Sequence, residues 1–350
     1  MSKILFVGAG AVGSYIGSCL SRAGHDVTLV DPWADHVDAI NARGIAVTGP
    51  HEPFTARPKA VHLHEAAKLP ADFEMAIVTM KSYDTAWAVQ LAVRHLGPTG
   101  FVVSAQNCWN DPLVASIAGA DRAVGLVMSR IGVALWRPGE VERGAERGSA
   151  SGHDVFRAGE HDGRITPRVK MLAEILKAVD GAHPTDNLWG ERWSKLCSNA
   201  MGNPVQGMSG LGGSEVLSTP AGRKVTIGLA SESARVGLAL GYRVPKISGF
   251  PAETWAGADR PEVYGELEAK LTPAAGPGRN WRSSMAQDVI KRRRTEIELM
   301  NGHVLAKGRE VGVPTPMTDV VVDIVRGIDA GTREPGPATI DEALRRAGSK

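Results

Sequence analysis

The sequence predicts an α/β domain built on a doubly wound parallel sheet, followed by an all-α domain. Three observations carry this. Short β-type runs alternate with amphipathic helical stretches through the first third of the chain, a glycine-punctuated turn opens that alternation, and from Leu188 onward the apolar spacing is helical almost throughout. At 350 residues the chain has room for roughly two domains of about 150 residues each. The stretch AHPTDN, residues 182–187, interrupts the periodicity with Pro184 and polar side chains, so the expected boundary separates 1–185 from 186–350.

The first element, KILFV, is a short apolar strand running into Gly8, Gly10 and Gly13, the G-x-G-x-x-G spacing. Each glycine stands there for its own physical reason. Gly8 permits the tight turn, Gly10 lets a pyrophosphate approach the backbone, and Gly13 lets the next helix pack on its strand. AVGSYIGSCLSRA is that helix, Gly24 its stop, and HDVTLVD a second strand ending in Asp31, 18 residues past Gly13. Strand, glycines, helix and acid-terminated strand together form a Rossmann-type dinucleotide fingerprint. Gly8, Ala9, Gly10, Ala11, Val12 and Gly13 are therefore the expected cofactor cradle, with the N–H groups of the helix start facing the phosphates. A carboxylate at Asp31 accepts hydrogen bonds from ribose hydroxyls and repels a 2′-phosphate, so NAD is expected rather than NADP.

The alternation continues with EMAIVTM as a strand, DTAWAVQLAVRHL as a helix and GFVVSAQN as a strand. Asp111 and Pro112 then read as the N-cap and first residue of a helix. Ligands of such sheets lie at the carboxyl ends of the strands, where Lys81 and Asn107 are candidates to reach the cofactor. Beyond about residue 120, AVGLVMSRIGVALWRPGEVERG predicts antiparallel strands turning at Pro138 and Gly139. The helix RVKMLAEILKAVDG closes the domain, with Gly181 as its stop.

In the second half, LWGERWSKLCSNAMGN and GRKVTIGLASESARVGLALG read as helices, and SSMAQDVIKRRRTEIELMNGHVLAKGREVGV as one long helix with the basic run Lys291 to Arg294 on its solvated face. Pro314 and Pro316 break it, and TDVVVDIVRGI is a final helix. Within the first of these, Lys195, Asn199 and Asn203 stand four residues apart. A four-residue step turns a helix by only about 40°, so they form one polar stripe suited to water or to a small polar molecule.

Composition excludes several classes. Forty Lys+Arg against 38 Asp+Glu give a net charge of +2, too small for a field that recruits nucleic acid or an anionic membrane. Cys19, Cys108 and Cys197 stand at unrelated spacings, so no disulfide framework is expected and the cytoplasm is the default compartment. The apolar run after Lys3 has the look of a signal segment, but its glycines and the strand that follows argue against export. His62 and His64 share a strand face without a third ligand nearby, so no metal site is expected. Cys108 lacks an adjacent base that would make it a nucleophile.

The glycine motif, QN at 106–107, WxKLxxNxxxN at 193–203, SSMxQD at 283–288, TEIExxNG at 295–302 and VPTP at 313–316 together resemble the ketopantoate reductase family, in order and over essentially the whole chain. The resemblance implies that Lys195 is the general acid that protonates a substrate carbonyl as hydride arrives. It implies that Asn199 and Asn203 orient substrate oxygens, that Glu296 holds a substrate hydroxyl and balances the lysine charge, and that Ser284 contacts substrate. Asn107 would lie near the nicotinamide and Lys81 near the cofactor. It also implies a second domain like that of 6-phosphogluconate dehydrogenase, which carries substrate and dimer contacts, and hence a homodimer with a small-molecule substrate in a cleft between the domains.

Two departures matter. The family commonly has glycine after the cofactor-proximal asparagine, whereas this chain reads QNCWN, placing Cys108 and Trp109 there. The family also usually prefers NADP and has a basic residue near the end of the second strand, where this chain has Asp31. The expected activity is therefore NAD-dependent interconversion of a small hydroxy and oxo compound, with Lys195 as base in the oxidative direction. A 2-dehydropantoate reductase using NADPH is one alternative; a non-catalytic NAD(H) sensor, which would not need Lys195 and Glu296, is another. Trp109 and the residues between about 245 and 283 are expected to set the substrate.

Overall fold

The computed structural model describes residues 1–273 and 280–349. Residues 274–279, part of the stretch expected to set the substrate, lie outside the described residues. The chain divides into two compact units, Met1–Leu188 and Trp189–Lys350.

In chain order the first unit contains β1 (Lys3–Val7), α1 (Ala11–Arg22), β2 (Asp26–Asp31), α2 (Ala34–Arg43), β3 (Ile45–Thr48), β4 (Phe54–Ala56), β5 (Lys59–His62), β6 (Phe73–Val78), α3 (Thr85–Arg94), β7 (Leu96–Ser104), α4 (Asp111–Ala118), β8 (Ala123–Met128), β9 (Val133–Arg137), β10 (Glu140–Arg143), β11 (Phe156–Glu160), α5 (Pro167–Leu176) and β12 (Ala182–Pro184). The main sheet runs β12-β11-β8-β7-β6-β1-β2-β5. Every pairing in it is parallel except β8 with β11. On β1, Ile4 and Phe6 enter one core while Leu5 and Val7 enter the other, as alternation across a sheet buried on both faces requires. Each such side chain contributes roughly 1.5–3 kcal/mol of burial, so packing on two faces fixes this strand.

A second, four-stranded sheet, β4-β3-β10-β9, lies against α1. Its Ile45, Val47 and Val141 join the core that contains Tyr15, Ile16, Cys19 and Leu20 of that helix. The antiparallel strands expected after residue 120 are present, β9 with β10 as the hairpin at Pro138 and Gly139 and β8 with β11. But β8 is also parallel to β7, reached by the crossover α4, and all six of its residues are buried, as suits an interior strand. AHPTDN, where the boundary was expected, contains an edge strand, Ala182–Pro184, paired with β11. Helix α4 begins one residue earlier than expected, with Asn110 at the N-cap.

The second unit is helical: α6 (Leu188–Ser209), which starts on the last residue of the first unit, then α7 (Gly213–Ser218), α8 (Pro220–Ala239), α9 (Ala252–Ala256), α10 (Pro261–Leu271), α11 (Ser284–Ile290), α12 (Asn301–Glu310), α13 (Pro316–Asp329) and α14 (Ala338–Ala347). Pro204 sits inside α6 without ending it. The long helix expected over 283–313 is instead two, α11 and α12. Arg293 N–H donates to Asp288 C=O at 2.9 Å and Arg292 N–H to Val289 C=O at 3.0 Å, while Arg292 has φ +51°. That is a Schellman stop, with arginine at the left-handed position where glycine would have announced it. The basic run is thus solvated in an irregular segment rather than along a helix. Among the described residues no helix is long and apolar enough to cross a membrane.

Candidate active site

In the first unit β1 lies between β2 and β6, so the chain leaves β1 toward one side of the sheet and later returns to the other. That switch point opens a crevice at the carboxyl ends of β1 and β6. Gly8 follows β1 with φ +109°, and a Cβ there would meet Met80 Sδ at 2.8 Å. A Cβ on Gly13 would lie 2.0 Å from the Gly8 carbonyl oxygen, whereas one on Gly10 would meet nothing within 4 Å. Two glycines are thus required by protein contacts, and the third leaves open space beside the first turn of α1. A dinucleotide's phosphates fit this cradle, where the N–H groups of the helix start, which have no acceptor within the helix, would be their donors.

Asp31 braces the same loop. Its Oδ2 accepts Ala9 N–H at 2.6 Å and its Oδ1 accepts Trp33 N–H at 2.8 Å, with the side chain buried. Thr79, just past β6, donates Oγ1–H to the Gly8 carbonyl at 2.6 Å. A relay runs outward from Ala9: its carbonyl accepts the Ser14 hydroxyl at 2.6 Å, and Ser14 Oγ lies 3.0 Å from His36 Nε2. Gly139 N–H, in the β9–β10 turn, donates to His36 Nδ1 at 2.9 Å. That donor assigns Nδ1 as the bare nitrogen and Nε2–H as the donor to serine. Burial holds the His36 pKa below the ordinary imidazole value, against the pull of Asp31, so the ring works as neutral imidazole.

Lys81 and Asn107 stand where expected, on the loops after β6 and β7, and both are half-buried. Sequence reading missed what clamps these loops together. Gln106 Nε2 donates to the Met80 carbonyl at 2.9 Å and to Thr85 Oγ1 at 3.0 Å; Asn110 Nδ2 donates to the Asn107 carbonyl at 2.6 Å and to Ser82 Oγ at 3.0 Å. Both amides are buried, and although Gln106 belongs to the QN pair read in the sequence, the partners of the two are legible only once the strand ends are adjacent. Between them Cys108 has φ +67°, a left-handed conformation that accounts for glycine in the family pattern. Trp109 beside it is half-buried.

In the second unit, α6 presents the expected stripe. Trp189, Glu191, Lys195, Ser198, Gly202, Asn203 and Gln206 are its partly exposed positions, while Trp193, Leu196, Cys197, Ala200, Met201, Val205 and Met208 are buried. Asn199 lies on the same line and is buried. Trp193 Nε1–H anchors the helix to the Ser233 carbonyl of α8 at 2.9 Å. Asn203 Nδ2 reaches Ser284 Oγ at 3.4 Å, so two predicted site residues far apart in sequence meet. Ser283 helps by capping α11 and donating its N–H to Gln206 Oε1 at 2.8 Å. Asn203 Nδ2 also lies 4.0 Å from Met300 Sδ, bringing the turn that carries buried Glu296 to the same helix. That turn is pinned on both sides: Thr295 Oγ1–H donates to Asp329 at 2.7 Å, and Arg326 pairs with Glu298.

Other candidates have structural partners. His62 Nε2 pairs with Asp38 at 2.9 Å, and among the described residues there is no cluster of metal-ligating side chains.

A dinucleotide cradle on a parallel sheet, followed by a helical unit with a lysine and asparagine stripe, defines a two-domain pyridine-nucleotide oxidoreductase. The particular kind follows from comparison with known proteins. The family model described as Ketopantoate reductase PanE/ApbA matches residues 4–152, and its C-terminal counterpart matches residues 187–329. The chain belongs to the ketopantoate reductase family and is an NAD(P)-dependent oxidoreductase. A curated 2-dehydropantoate 2-reductase from Archaeoglobus fulgidus is 27% identical, covering 95% of this chain and 99% of the relative. Among solved structures, D-mandelate dehydrogenase with NADH and anilino(oxo)acetate has a TM-score of 0.76 at 22% identity, covering 94% and 98% of the two chains. A PanE/ApbA family ketopantoate reductase from Ralstonia eutropha has a TM-score of 0.75 at 24% identity, covering 95% and 100%.

Proposed function

We propose that this protein is an NAD-linked dehydrogenase that interconverts a small 2-hydroxy acid and its 2-oxo acid. The observation that carries the reading is Asp31: an acid ends β2 and binds the N–H of Ala9 inside the glycine cradle. A carboxylate there accepts from ribose hydroxyls and repels the 2′-phosphate of NADP. The D-mandelate dehydrogenase of like fold is named with NADH and anilino(oxo)acetate, an oxo-carboxylate, which supports the same cofactor and substrate class.

Bound NADH supplies a hydride to the substrate carbonyl carbon, and NAD accepts one in reverse. The chain's own part is the proton and the grip. Lys195 gives Nζ–H to the carbonyl oxygen as negative charge develops there, leaving a hydroxyl, or takes that proton in oxidation. Asn199, Asn203 and Ser284 orient the substrate's oxygens, and Glu296 holds a hydroxyl while balancing the ammonium. Gly8 to Gly13, with Lys81 and Asn107, hold the cofactor, and Trp109 bounds the substrate. We assign the working assembly as a homodimer.

The test is absorbance at the NADH band with a panel of 2-oxo acids, 2-hydroxy acids and aromatic alcohols, each with NAD(H) and NADP(H). Turnover with NAD(H) that Lys195→Ala abolishes supports the reading; a clear preference for NADP overturns the cofactor assignment. The name of the Archaeoglobus relative favours a second reading, NADPH-dependent reduction of 2-dehydropantoate. Including 2-dehydropantoate in the panel separates the two.

A further inference from the structure

We propose that Asn301 is a positioning residue for catalysis, standing in for a hydrogen bond that Pro204 deletes from the middle of α6. The inference rests on the proposed role of the Lys195, Asn199 and Asn203 stripe. In an α-helix the carbonyl of residue 200 accepts the N–H of residue 204, and here residue 204 is proline, inside the helix and without an N–H. The orphaned acceptor lies within the turn that joins Asn199 to Asn203. An interior proline normally kinks or breaks a helix at a cost of about 3 kcal/mol, and a kink here would change the angle between Lys195 and Asn203.

The missing donor comes from another helix. Asn301, the first residue of α12, donates Nδ2–H to the Ala200 carbonyl at 3.0 Å, across 101 residues of sequence. The side chain is completely buried, and its Oδ1 meets no protein donor among the described residues. Because the partner is a carbonyl, the amide orientation is set: nitrogen, not oxygen, must face Ala200. A buried acceptor without a donor is costly, so a residue selected for stability alone would not be asparagine. Keeping it makes sense if what matters is a donor at Ala200. Asn301 also follows Met300, the residue that touches Asn203, so one short segment holds both the backbone and a side chain of the stripe.

Proline makes the proposal testable, because Pro204→Ala restores a backbone N–H at the right place. Asn301→Ala is expected to lower kcat about tenfold with little change in KM, the signature of a misplaced proton donor rather than lost substrate contacts. In the Pro204→Ala background the same Asn301 substitution is expected to cost less than about twofold, since one backbone bond replaces the side-chain bond. The melting temperature is expected to show the same coupling. Asn301→Asp supplies a second probe if the alanine variant folds poorly: its carboxylate repels the Ala200 carbonyl near neutrality, and its protonated form donates to it. Its kcat relative to wild type is therefore expected to recover as the pH is lowered.

Equal losses of kcat from Asn301→Ala in the two backgrounds overturn the proposal, as does an Asn301→Ala enzyme with wild-type kcat. So does an Asn301→Asp enzyme whose activity ratio is flat with pH. A wild-type protein that turns over none of the acids, with either nucleotide, sinks the catalytic reading and this proposal with it; a wild type that turns over while Asn301→Ala matches it sinks this proposal alone.

Discussion

Replacing Asp31 by asparagine separates the cradle's architecture from its ligand. Both carboxylate oxygens accept a backbone N–H, Oδ2 from Ala9 and Oδ1 from Trp33. An asparagine side chain has one acceptor oxygen, so in either amide orientation its NH2 faces one of these donors. One charge-assisted hydrogen bond is lost and a donor is left facing a donor. A hydrogen bond to a charged group contributes about 1.5–3 kcal/mol, and at 8% exposure water does not restore it. For a unit of this size each kcal/mol moves the midpoint by roughly 2–4 °C, so the ligand-free D31N variant should melt about 4–10 °C below wild type. Ala9 lies inside the glycine cradle, so the KM for NAD should also rise at least about tenfold, equivalent to about 1.4 kcal/mol. Thermal unfolding with and without NADH, together with initial rates over a range of NAD concentrations, reads both effects. A ligand-free D31N variant that melts with wild type and keeps its KM for NAD would refute the claim that this carboxylate organises the loop.

Three further outcomes follow from the same geometry. Gly13→Ala should destabilise by about 1–3 kcal/mol or more, because the added Cβ would stand 2.0 Å from the Gly8 oxygen; Gly10→Ala, with nothing within 4 Å, should melt normally yet bind NADH weakly in a fluorescence titration. Gly202, on the partly exposed stripe of α6 with open space above it, should gain roughly 0.5–1 kcal/mol of stability on change to Ala. Activity should nonetheless fall progressively through Ala, Val and Leu; unchanged kcat/KM in the leucine variant would show that substrate does not lie along this face. His36 is held neutral with a pKa below its ordinary 6.5, so below that pH the unfolded chain takes up a proton that the folded ring resists. Its contribution is complete above 6.5 and is lost as pH falls toward the depressed native value. Urea unfolding of wild type between pH 7.5 and 5 should therefore lose stability more steeply than that of His36→Gln.

What the sequence made legible was local. The glycine spacing, the strand before it and the acid 18 residues beyond are read from one continuous segment, and the stripe of Lys195, Asn199 and Asn203 from helical period alone. What it hid depended on partners far along the chain. The parallel pairing of β10 with β3 joins strands on opposite sides of three crossovers, and no periodicity marks it. The stop after α11 was silent because arginine, not glycine, occupies the left-handed position at 292. Cys108 makes the same point beside the loop after β6. Its φ of +67° costs a non-glycine residue about 1–2 kcal/mol, yet the chain keeps a cysteine there. Such strain persists only where neighbours over-determine the backbone, and here they do: the Asn107 carbonyl accepts from both Asn110 and Ser82, while Gln106 is tied to the loop after β6. The clamp that holds Asn107 in place is therefore also what lets residue 108 depart from glycine. In the proposed site the side chains at 108 and 109 can then vary without moving the backbone that positions Asn107.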